Sequence, residues 1–326
     1  VVSEAVAIVT ASARHTRLSG LVNAVLRKLA TEAPRVWDDL RVPRLPDWLR
    51  APLVAAWGKG AVAAMERAQL AGAPLDLTVT ADPEGWAARL GGTVLPTGSV
   101  RLPDAGQVSA LPGYETGAWW VQDAAAALAV RVLAPQPGEA VLDMGAAPGG
   151  KTLQLAAAGA EVTALDISER RMERVAENLA RTGLAAQCVI GDALAHRGRY
   201  DAILLDAPCS ATGTIRRHPD LPHARDGAGI GGLIETQAAM LDHALTLLRP
   251  GGRLVFCTCS LLPDEGECQI EAARARHPAL WVDRGALDRP GIASGWITAE
   301  GGLRLRPDFW PEHGGMDGFY IACLRV

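Results

Sequence analysis

Hydrophobic and polar positions change their pattern near residue 138. From there onward, short apolar runs alternate with longer segments in which apolar residues recur every three or four positions. The runs predict buried strands and the longer segments predict amphipathic helices. Strands that alternate with helices favour an α/β fold, a mostly parallel sheet with helices on both faces. The predicted strands are 140–144, 161–165, 187–190, 201–205, 253–258 and 318–325. The predicted helices are 150–158, 168–181, 233–248 and 264–276.

The first part of the chain is organised differently. Leucine and valine recur at helical spacing between Leu18 and Leu29, with Ser19 and Gly20 as a candidate break. Prolines then mark a connector with one short helix, and short alternating runs between Gly and Pro turns predict a small α+β module. The predicted divisions are a helical segment 1–30, a helical linker 31–72, the module 73–118 and the α/β domain 119–326.

Composition narrows the class of protein. The 326 residues are 49% hydrophobic and 21% charged, as in a soluble globular protein. No apolar run is long enough to span a bilayer and no signal-peptide pattern opens the chain, so we expect a cytoplasmic protein. We also expect a monomer. Six cysteines without framework spacing predict free thiols in a reducing compartment. The first residue, Val1, indicates a processed chain or part of a longer one.

A glycine-rich loop follows the first strand predicted after residue 138. Residues 145–152 read Gly-Ala-Ala-Pro-Gly-Gly-Lys-Thr and satisfy the pattern of a phosphate-binding P-loop. Asp206, at the end of another predicted strand, is then a candidate magnesium ligand, so a P-loop NTPase is one possible function. The other interpretation is a nucleoside-cofactor loop, in which small residues let the backbone approach the ligand.

Acidic residues follow three successive predicted strands. Asp166 stands about twenty residues after the loop, where such sites place the acid that binds ribose hydroxyls. Asp192 and Asp206 follow the next two strands. These charges suit a ribose, an adenine amino group and an ammonium, and they repel a triphosphate unless a metal intervenes. They therefore favour S-adenosylmethionine over ATP.

Two cysteines lie on loops that follow predicted strands. Cys209 stands in Asp-Ala-Pro-Cys-Ser and Cys259 in Cys-Thr-Cys-Ser. Ligands bind outside the carboxyl ends of the strands in an open α/β sheet, so both thiols can face one substrate. One can act as a nucleophile and the other as an acid or base, and the residues alone leave the two roles interchangeable. The competing interpretation is two buried cysteines without chemistry.

A basic cluster follows the Cys209 loop. Arg216, Arg217 and His218 are consecutive, and a local basic face suffices for phosphate contacts even at a net charge of −4. We therefore predict that these three residues contact RNA. The alternative is an ordinary solvated face.

Three segments carry a family likeness: 142–152, 206–213 and 258–260. Together they resemble the RNA cytosine-5 methyltransferases of the Nop2/Sun family. The resemblance implies a Rossmann-like core that uses S-adenosyl-L-methionine, preceded by a small RNA-recognition-like module and the remnant of a NusB-like helical domain. It also implies C5-methylation of a cytosine in RNA, with 16S ribosomal RNA as the expected substrate and transfer RNA as the alternative.

The resemblance also implies residue roles. Cys259 is the nucleophile that forms an adduct at C6, and Cys209 assists proton removal and release. Asp206 lies near the methyl-transfer centre, Asp166 binds the ribose and Asp192 lies by the adenine. The full set of expected cofactor contacts is Gly145, Ala146, Ala147, Pro148, Gly149, Gly150, Lys151, Asp166, Arg171, Asp192 and Asp206. No metal is expected.

Two positions depart from the family pattern. Gly145 stands where the family often has cysteine, and residues 221–226 lack the usual tryptophan- and basic-rich stretch. A non-enzymatic RNA-binding assembly factor that kept the fold is the remaining alternative.

Overall fold

The computed structural model describes residues 2–36 and 41–326 and divides the chain into two compact units, Val1–Pro43 and Arg44–Val326. Residue 1, in the predicted helical segment, and residues 37–40, in the predicted linker, lie outside the described residues. The first unit contains α1 (Val2–Ala11) and α2 (Ser19–Val36). An interruption is present, but it lies at residues 12–18 and not at Ser19 and Gly20, which form the first turn of α2.

The second unit opens with a long helix that packs into its core. α3 (Asp47–Ala71) is interrupted at Gly58, whose φ of 81° is left-handed. Its apolar side chains are buried against the segments that flank the two cysteine loops. The Trp57 indole also donates to the Leu261 carbonyl at 3.1 Å. α3 is thus part of the folded unit, and it packs against the segments next to the two cysteine loops. The buried contacts join Leu49, Leu53, Val62 and Met65 to Ile215, Leu261 and Leu262.

A small antiparallel sheet follows α3. Its strands are β1 (Leu75–Val79), β2 (Thr93–Val94), β3 (Val100–Leu102) and β4 (Trp119–Val121), in the order β2-β3-β1-β4, and α4 (Pro83–Leu90) covers it. These elements are of the type predicted for the α+β module, and β4 lies just beyond residue 118.

A buried ion pair joins this sheet to the rest of the unit. Arg101 donates to both Asp76 carboxylate oxygens, at 2.6 and 2.7 Å, and to the carbonyls of His313 and Gly315. Asp76 in turn accepts from the Ala124 amide at 2.9 Å. Because the groups are buried and hydrogen-bonded, the small sheet is held in one orientation on the large domain.

The large domain is an open, doubly wound sheet. Its strand order is β10-β12-β9-β8-β5-β6-β7, in which β7, β6, β5, β8 and β9 run parallel and β12 runs antiparallel to β9. All six predicted strands and all four predicted helices are confirmed. The strands are β5 (Ala140–Met144), β6 (Glu161–Asp166), β7 (Gln187–Ile190), β8 (Tyr200–Asp206), β9 (Leu248–Thr258), β10 (Trp281–Val282), β11 (Leu303–Leu305) and β12 (Phe319–Arg325). The helices are α5 (Ala124–Leu133), α6 (Gly150–Ala157), α7 (Glu169–Thr182), α8 (Leu221–Ala224), α9 (Ile230–Leu247) and α10 (Glu267–Arg276).

The central strands are apolar because helices cover both faces of the sheet. Residues 202–205 of β8 are fully buried, with two on each face. The glycine loop follows β5, and the loops with Cys209 and Cys259 follow β8 and β9 at the same edge. The chain reverses its strand order between β5 and β8, which is where open α/β sheets bind ligands. Across the described ranges, no helix combines the length and apolar character needed to cross a membrane.

Candidate active site

The glycine loop packs tightly against the ends of two neighbouring strands. The amides of Gly145 and Ala146 donate to the Leu165 carbonyl at 2.9 and 3.0 Å. Gly145 has a φ of 86°, and a Cβ there would stand 2.3 Å from the Asp206 carbonyl oxygen. Glycine at this position therefore lets the loop after β5 approach the loop after β8.

The contacts of the lysine and threonine favour the nucleoside-cofactor interpretation of the loop over the P-loop interpretation. The Lys151 ammonium lies 2.7 Å from the Asp206 carboxylate and 5.1 Å from the centre of the Phe319 ring. The Thr152 hydroxyl is buried and donates to Asp143 at 2.6 Å. A P-loop uses these two side chains for phosphate and magnesium, whereas here both are engaged within the protein.

Two ionisable groups lie beneath the loop, the fully buried Asp143 and the partly buried Lys151. Burial raises the pKa of Asp143 to about 7, although Thr152 and Lys151 both favour its charged form. Burial disfavours the charge on Lys151, but Asp206, together with Cys257 and Asp143, outweighs burial and raises the Lys151 pKa above its usual range. Lys151 therefore stays an ammonium and fixes the orientation of Asp206.

A cavity of about 440 Å³ opens beside the ends of β6 and β8. Asp166 lies at its edge and accepts from the Ser168 and Ala147 amides at 2.9 and 3.2 Å. The Arg171 guanidinium lies 3.6 Å from the Asp166 carboxylate and also donates to the Ala147 carbonyl. The expected cofactor residues that line this first cavity are Gly145, Asp166, Arg171, Asp192 and Asp206.

A second cavity of about 540 Å³ lies between the small sheet and the large domain. Its walls include Tyr114, Trp120 and Phe319, and it shares Arg171, Asp206 and Cys259 with the first cavity. The two cavities therefore adjoin at one guanidinium, one carboxylate and one thiol. The other expected cofactor residues line this second cavity, except for Gly149, which lines neither: Ala146, Ala147, Pro148, Gly150 and Lys151.

The two thiols are in contact where the cavities adjoin. Cys209 Sγ lies 3.5 Å from Cys259 Sγ, and both are free cysteines, so the expectation that they face one space is confirmed. The contact with Cys259, followed by burial and the charge of Glu265, raises the Cys209 pKa well above its usual range. Cys209 is therefore a protonated thiol at neutral pH, able to donate to the Cys259 sulfur. Cys257 lies on the other side, 3.7 Å from Asp206.

Sequence reasoning missed the carboxylate behind the thiols. Glu265 is fully buried and accepts hydrogen bonds from Ser210 and Ser260, the residues that follow the two cysteines. The repeated Cys-Ser pair was a signal for this arrangement. The acid itself stands in an ordinary turn, Pro263–Glu265, and carries no local pattern.

The structure separates the three residues of the basic cluster. The prediction that Arg216 contacts RNA is contradicted, because none of its side chain is exposed and its guanidinium pairs with Asp123 and Asp317. The Arg217 side chain is 44% exposed and lines the second cavity, although it also pairs with Asp317. His218 is exposed and is not among the residues that line either cavity.

The strand order, the antiparallel β12 beside β9 and the glycine loop at the switch point are those of Rossmann-like, S-adenosylmethionine-dependent methyltransferases. A family model matches residues 130–325. The chain belongs to the 16S rRNA methyltransferase RsmB/F family.

Relatives and solved structures agree with this membership. Ribosomal RNA small subunit methyltransferase B from Cronobacter sakazakii is 43% identical over 234 residues, 69% of this chain and 51% of that protein. The enzyme of the same name from Sodalis glossinidius is 38% identical over 301 residues, 86% and 69% of the two chains. The chain thus spans about half the length of the first relative, and 69% of the length of the second.

Two solved archaeal structures share the fold. A methyltransferase homolog protein from Pyrococcus horikoshii superimposes with a TM-score of 0.72 at 27% identity, over 86% of this chain and 95% of that one. NSun6 from Pyrococcus horikoshii with SFG has a TM-score of 0.74 at 21% identity, over 87% and 99%.

Proposed function

We propose that this protein transfers a methyl group from S-adenosyl-L-methionine to C5 of a cytosine in 16S ribosomal RNA. The observation that carries the proposal is the junction of two cavities at Asp206 and Cys259, with Cys209 in contact with Cys259. A methyl donor in one cavity and a base in the other would meet at that junction. The names of the relatives support ribosomal RNA as the substrate.

The first cavity has the charges that the methyl donor requires. Carboxylates of Asp166, Asp192 and Asp206 stand around it, and they suit ribose hydroxyls, an amino group and a cationic methionine end. Its volume of about 440 Å³ is in the range of cofactor pockets. NSun6, of the same fold, was solved with SFG, an analogue of this donor. When bound, S-adenosylmethionine supplies an electrophilic methyl group.

The second cavity suits the target nucleotide. An RNA base must leave its stack to reach a thiol in a pocket, and aromatic side chains such as Tyr114, Trp120 and Phe319 can receive it. Tyr114 belongs to the module 73–118, which we propose acts as the RNA-recognition-like part. We also keep 1–30 as a NusB-like remnant and 119–326 as the catalytic domain. Within the predicted linker 31–72, α3 packs with the folded unit.

The thiols activate a carbon that is otherwise a poor nucleophile. The Cys259 thiolate bonds to C6 of the cytosine, and the ring electrons shift towards N3 so that C5 becomes enamine-like. N3 takes up a proton from solvent at this stage and returns it when the ring is restored. The Asp206 carboxylate accepts a hydrogen bond from the N4 amino group at the same ring edge. C5 then takes the methyl group of a bound donor as the S–CH3 bond breaks, which leaves the neutral thioether S-adenosylhomocysteine. Loss of the C5 proton to a base restores the double bond and expels the Cys259 thiolate.

The contact between the sulfurs explains how Cys209 can serve in the last step. While Cys259 is a thiolate, its charge keeps Cys209 protonated. Once Cys259 is bonded to carbon, that charge is gone and Cys209 ionises more readily. Cys209 can then accept the C5 proton, either directly or through water.

We expect Asp166→Asn to weaken binding of S-adenosylhomocysteine by about 10- to 100-fold, because a hydrogen bond to a charged acceptor contributes about 1.5–3 kcal/mol. Isothermal titration calorimetry measures the Kd. Glu169→Gln, at an exposed acid on the adjoining helix, is the control. An unchanged Kd for Asp166→Asn would remove Asp166 from the cofactor site.

We expect Arg217→Met to weaken RNA binding and to lower the slope of log Kd against log salt by about one, since one phosphate contact is lost. Fluorescence anisotropy with a 16S fragment over a salt series measures both. Arg249→Met is the control, because Arg249 lies at the opposite end of β9 and is 47% exposed. Equal slopes for Arg217→Met and wild type would contradict a phosphate contact at Arg217.

Methyl transfer itself decides the proposal. The protein is incubated with labelled S-adenosylmethionine and either 16S ribosomal RNA or transfer RNA, and bisulfite sequencing then locates any 5-methylcytosine. Modification of one 16S cytosine supports the proposal. Modification of transfer RNA alone would show that transfer RNA, and not 16S ribosomal RNA, is the substrate. Binding of RNA without methylation identifies an assembly factor instead.

We further propose that the protein acts as a monomer in the cytoplasm. Sedimentation in the same buffer tests the monomer, and cell fractionation tests the location.

A further inference from the structure

We propose that Glu265 is a positioning residue, which holds the Cys209 loop and the Cys259 loop together through the serines that follow the two cysteines. The inference rests on the proposed function, because it assigns a role in the reaction of those thiols. Glu265 lines neither cavity, so it acts only through the loops it binds.

The carboxylate is fully buried, and both of its oxygens are saturated with donors. Oε1 accepts from the Ser210 amide at 2.8 Å and from the Gln237 side chain at 3.1 Å. Oε2 accepts from the Ser210 hydroxyl at 2.5 Å and from the Ser260 hydroxyl at 2.6 Å. These four hydrogen bonds compensate for burial of the negative charge and fit a carboxylate better than a carboxylic acid.

The same carboxylate therefore bridges the loops after β8 and β9. Ser210 and Ser260 lie 3.3 Å apart through their hydroxyl oxygens, and each directly follows a cysteine. Behind them, the Gly213 amide donates to the Cys259 carbonyl at 2.9 Å. The position of one sulfur relative to the other is thus set by a network with Glu265 at its centre.

Both loops are also held from their outer sides. The Ser210 carbonyl accepts from Arg225 at 2.8 Å, and the Ser260 carbonyl accepts from Arg304. Because these cations bind the loop carbonyls, whereas Glu265 binds the two serine hydroxyls and the Ser210 amide, loss of Glu265 loosens the contact between the loops while each loop stays attached. The negative charge of Glu265 also adds to the raised pKa of Cys209, after the larger effects of Cys259 and burial.

Glu265→Gln tests the inference because it keeps the shape but places an amide group against donors. We expect iodoacetamide to alkylate Cys209 about tenfold faster at neutral pH, since a looser contact and a lost charge both favour its thiolate. Peptide mass spectrometry measures this in the full 326-residue chain without RNA. Cys188, an exposed thiol on β7, is the internal control.

In the methylation assay we expect Glu265→Gln to lower kcat by about 10- to 100-fold, because a misplaced nucleophile is costly. KM for S-adenosylmethionine should change by less than about twofold, because Glu265 does not line the cofactor cavity and ground-state binding of the cofactor is unchanged. Glu139→Gln, the same substitution at an acid that precedes β5 and pairs with Arg253 away from both cavities, is the matched control and should keep both the kcat and the alkylation rate.

The outcomes separate this inference from the proposed function. A folded Glu265→Gln with unchanged Cys209 alkylation and unchanged kcat overturns the inference. An inactive wild type overturns the proposed function, and the alkylation result still decides the role of Glu265. If Glu265→Gln does not fold, Ser260→Ala removes one of the hydrogen bonds, and we expect a shift of about two- to tenfold in the same direction. An unchanged Ser260→Ala then counts against the inference.

Discussion

Cys259→Ser is expected to lower methyl transfer by about four orders of magnitude or more, because removal of a covalent nucleophile leaves only binding and orientation to act. A hydroxyl is far less acidic than a thiol, so the serine cannot attack C6 at neutral pH. Transfer of labelled methyl groups to RNA measures the effect. Cys259 lies 3.5 Å from the Cys209 sulfur and lines both cavities. Cys323→Ser is the control, because this free thiol is buried on β12 and lines neither cavity.

The companion variant distinguishes the roles of the two thiols. With Cys209→Ser, Cys259 can still attack C6, but removal of the C5 proton is slow and a covalent RNA adduct accumulates. A denaturing gel detects the adduct, and mass spectrometry of the cross-linked peptide locates it. An adduct on Cys209 in Cys259→Ser, with none on Cys259 in Cys209→Ser, would reverse the assignment.

Arg216→Met is expected to destabilise the protein by about 3–5 kcal/mol, because removing one partner of a buried ion pair leaves uncompensated charge. Arg216 has no exposed side-chain surface and pairs with Asp123 at 3.1 Å and Asp317 at 3.4 Å. Urea unfolding followed by circular dichroism gives the free energy of unfolding. Arg249→Met breaks an exposed pair with Asp201 and should cost less than about 1 kcal/mol. Equal losses in the two variants would contradict the role of burial.

The loss in Arg216→Met should also depend on pH. Burial and then Asp123 raise the pKa of Asp317 to about 7 even with both arginines present, above its value of about 3.9 in an unfolded chain. A carboxyl raised in this way binds more protons when folded, so stability falls as pH rises through that window. Without Arg216 the Asp317 pKa rises further, and the deficit of the variant should be larger near about pH 8 than near about pH 6. A deficit independent of pH would show that Asp317 does not carry the cost.

Periodicity was sufficient for the large domain because its strands are buried on both faces. The run ending in Leu205 is apolar throughout, and the structure places it in β8 with helices on both sides. The strands β10 and β11 were missed because they contain two and three residues, too few for any period. They form by pairing with β12, which is a contact between distant segments.

Charge was a poorer guide than hydrophobicity. Arg216 and Arg217 are adjacent and chemically identical, yet one is buried in ion pairs and the other lines a cavity. Their partner Asp317 is about a hundred residues away, so local sequence gives no sign of the difference. Glu265 was missed for the same reason, because its donor Ser210 lies 55 residues before it.

The sequence by itself determined the α/β class, the glycine loop and the placement of Asp166, Asp206, Cys209 and Cys259 at the ends of strands. Each of these is a local property, because strand length, turn residues and side-chain period are set by neighbouring residues. Only the tertiary structure decided that Lys151 pairs with Asp206, that the two sulfurs touch, and that Glu265 lies behind both loops. These contacts depend on the positions of β5, β8 and β9 beside one another in the sheet. That arrangement brings together residues that no local pattern connects.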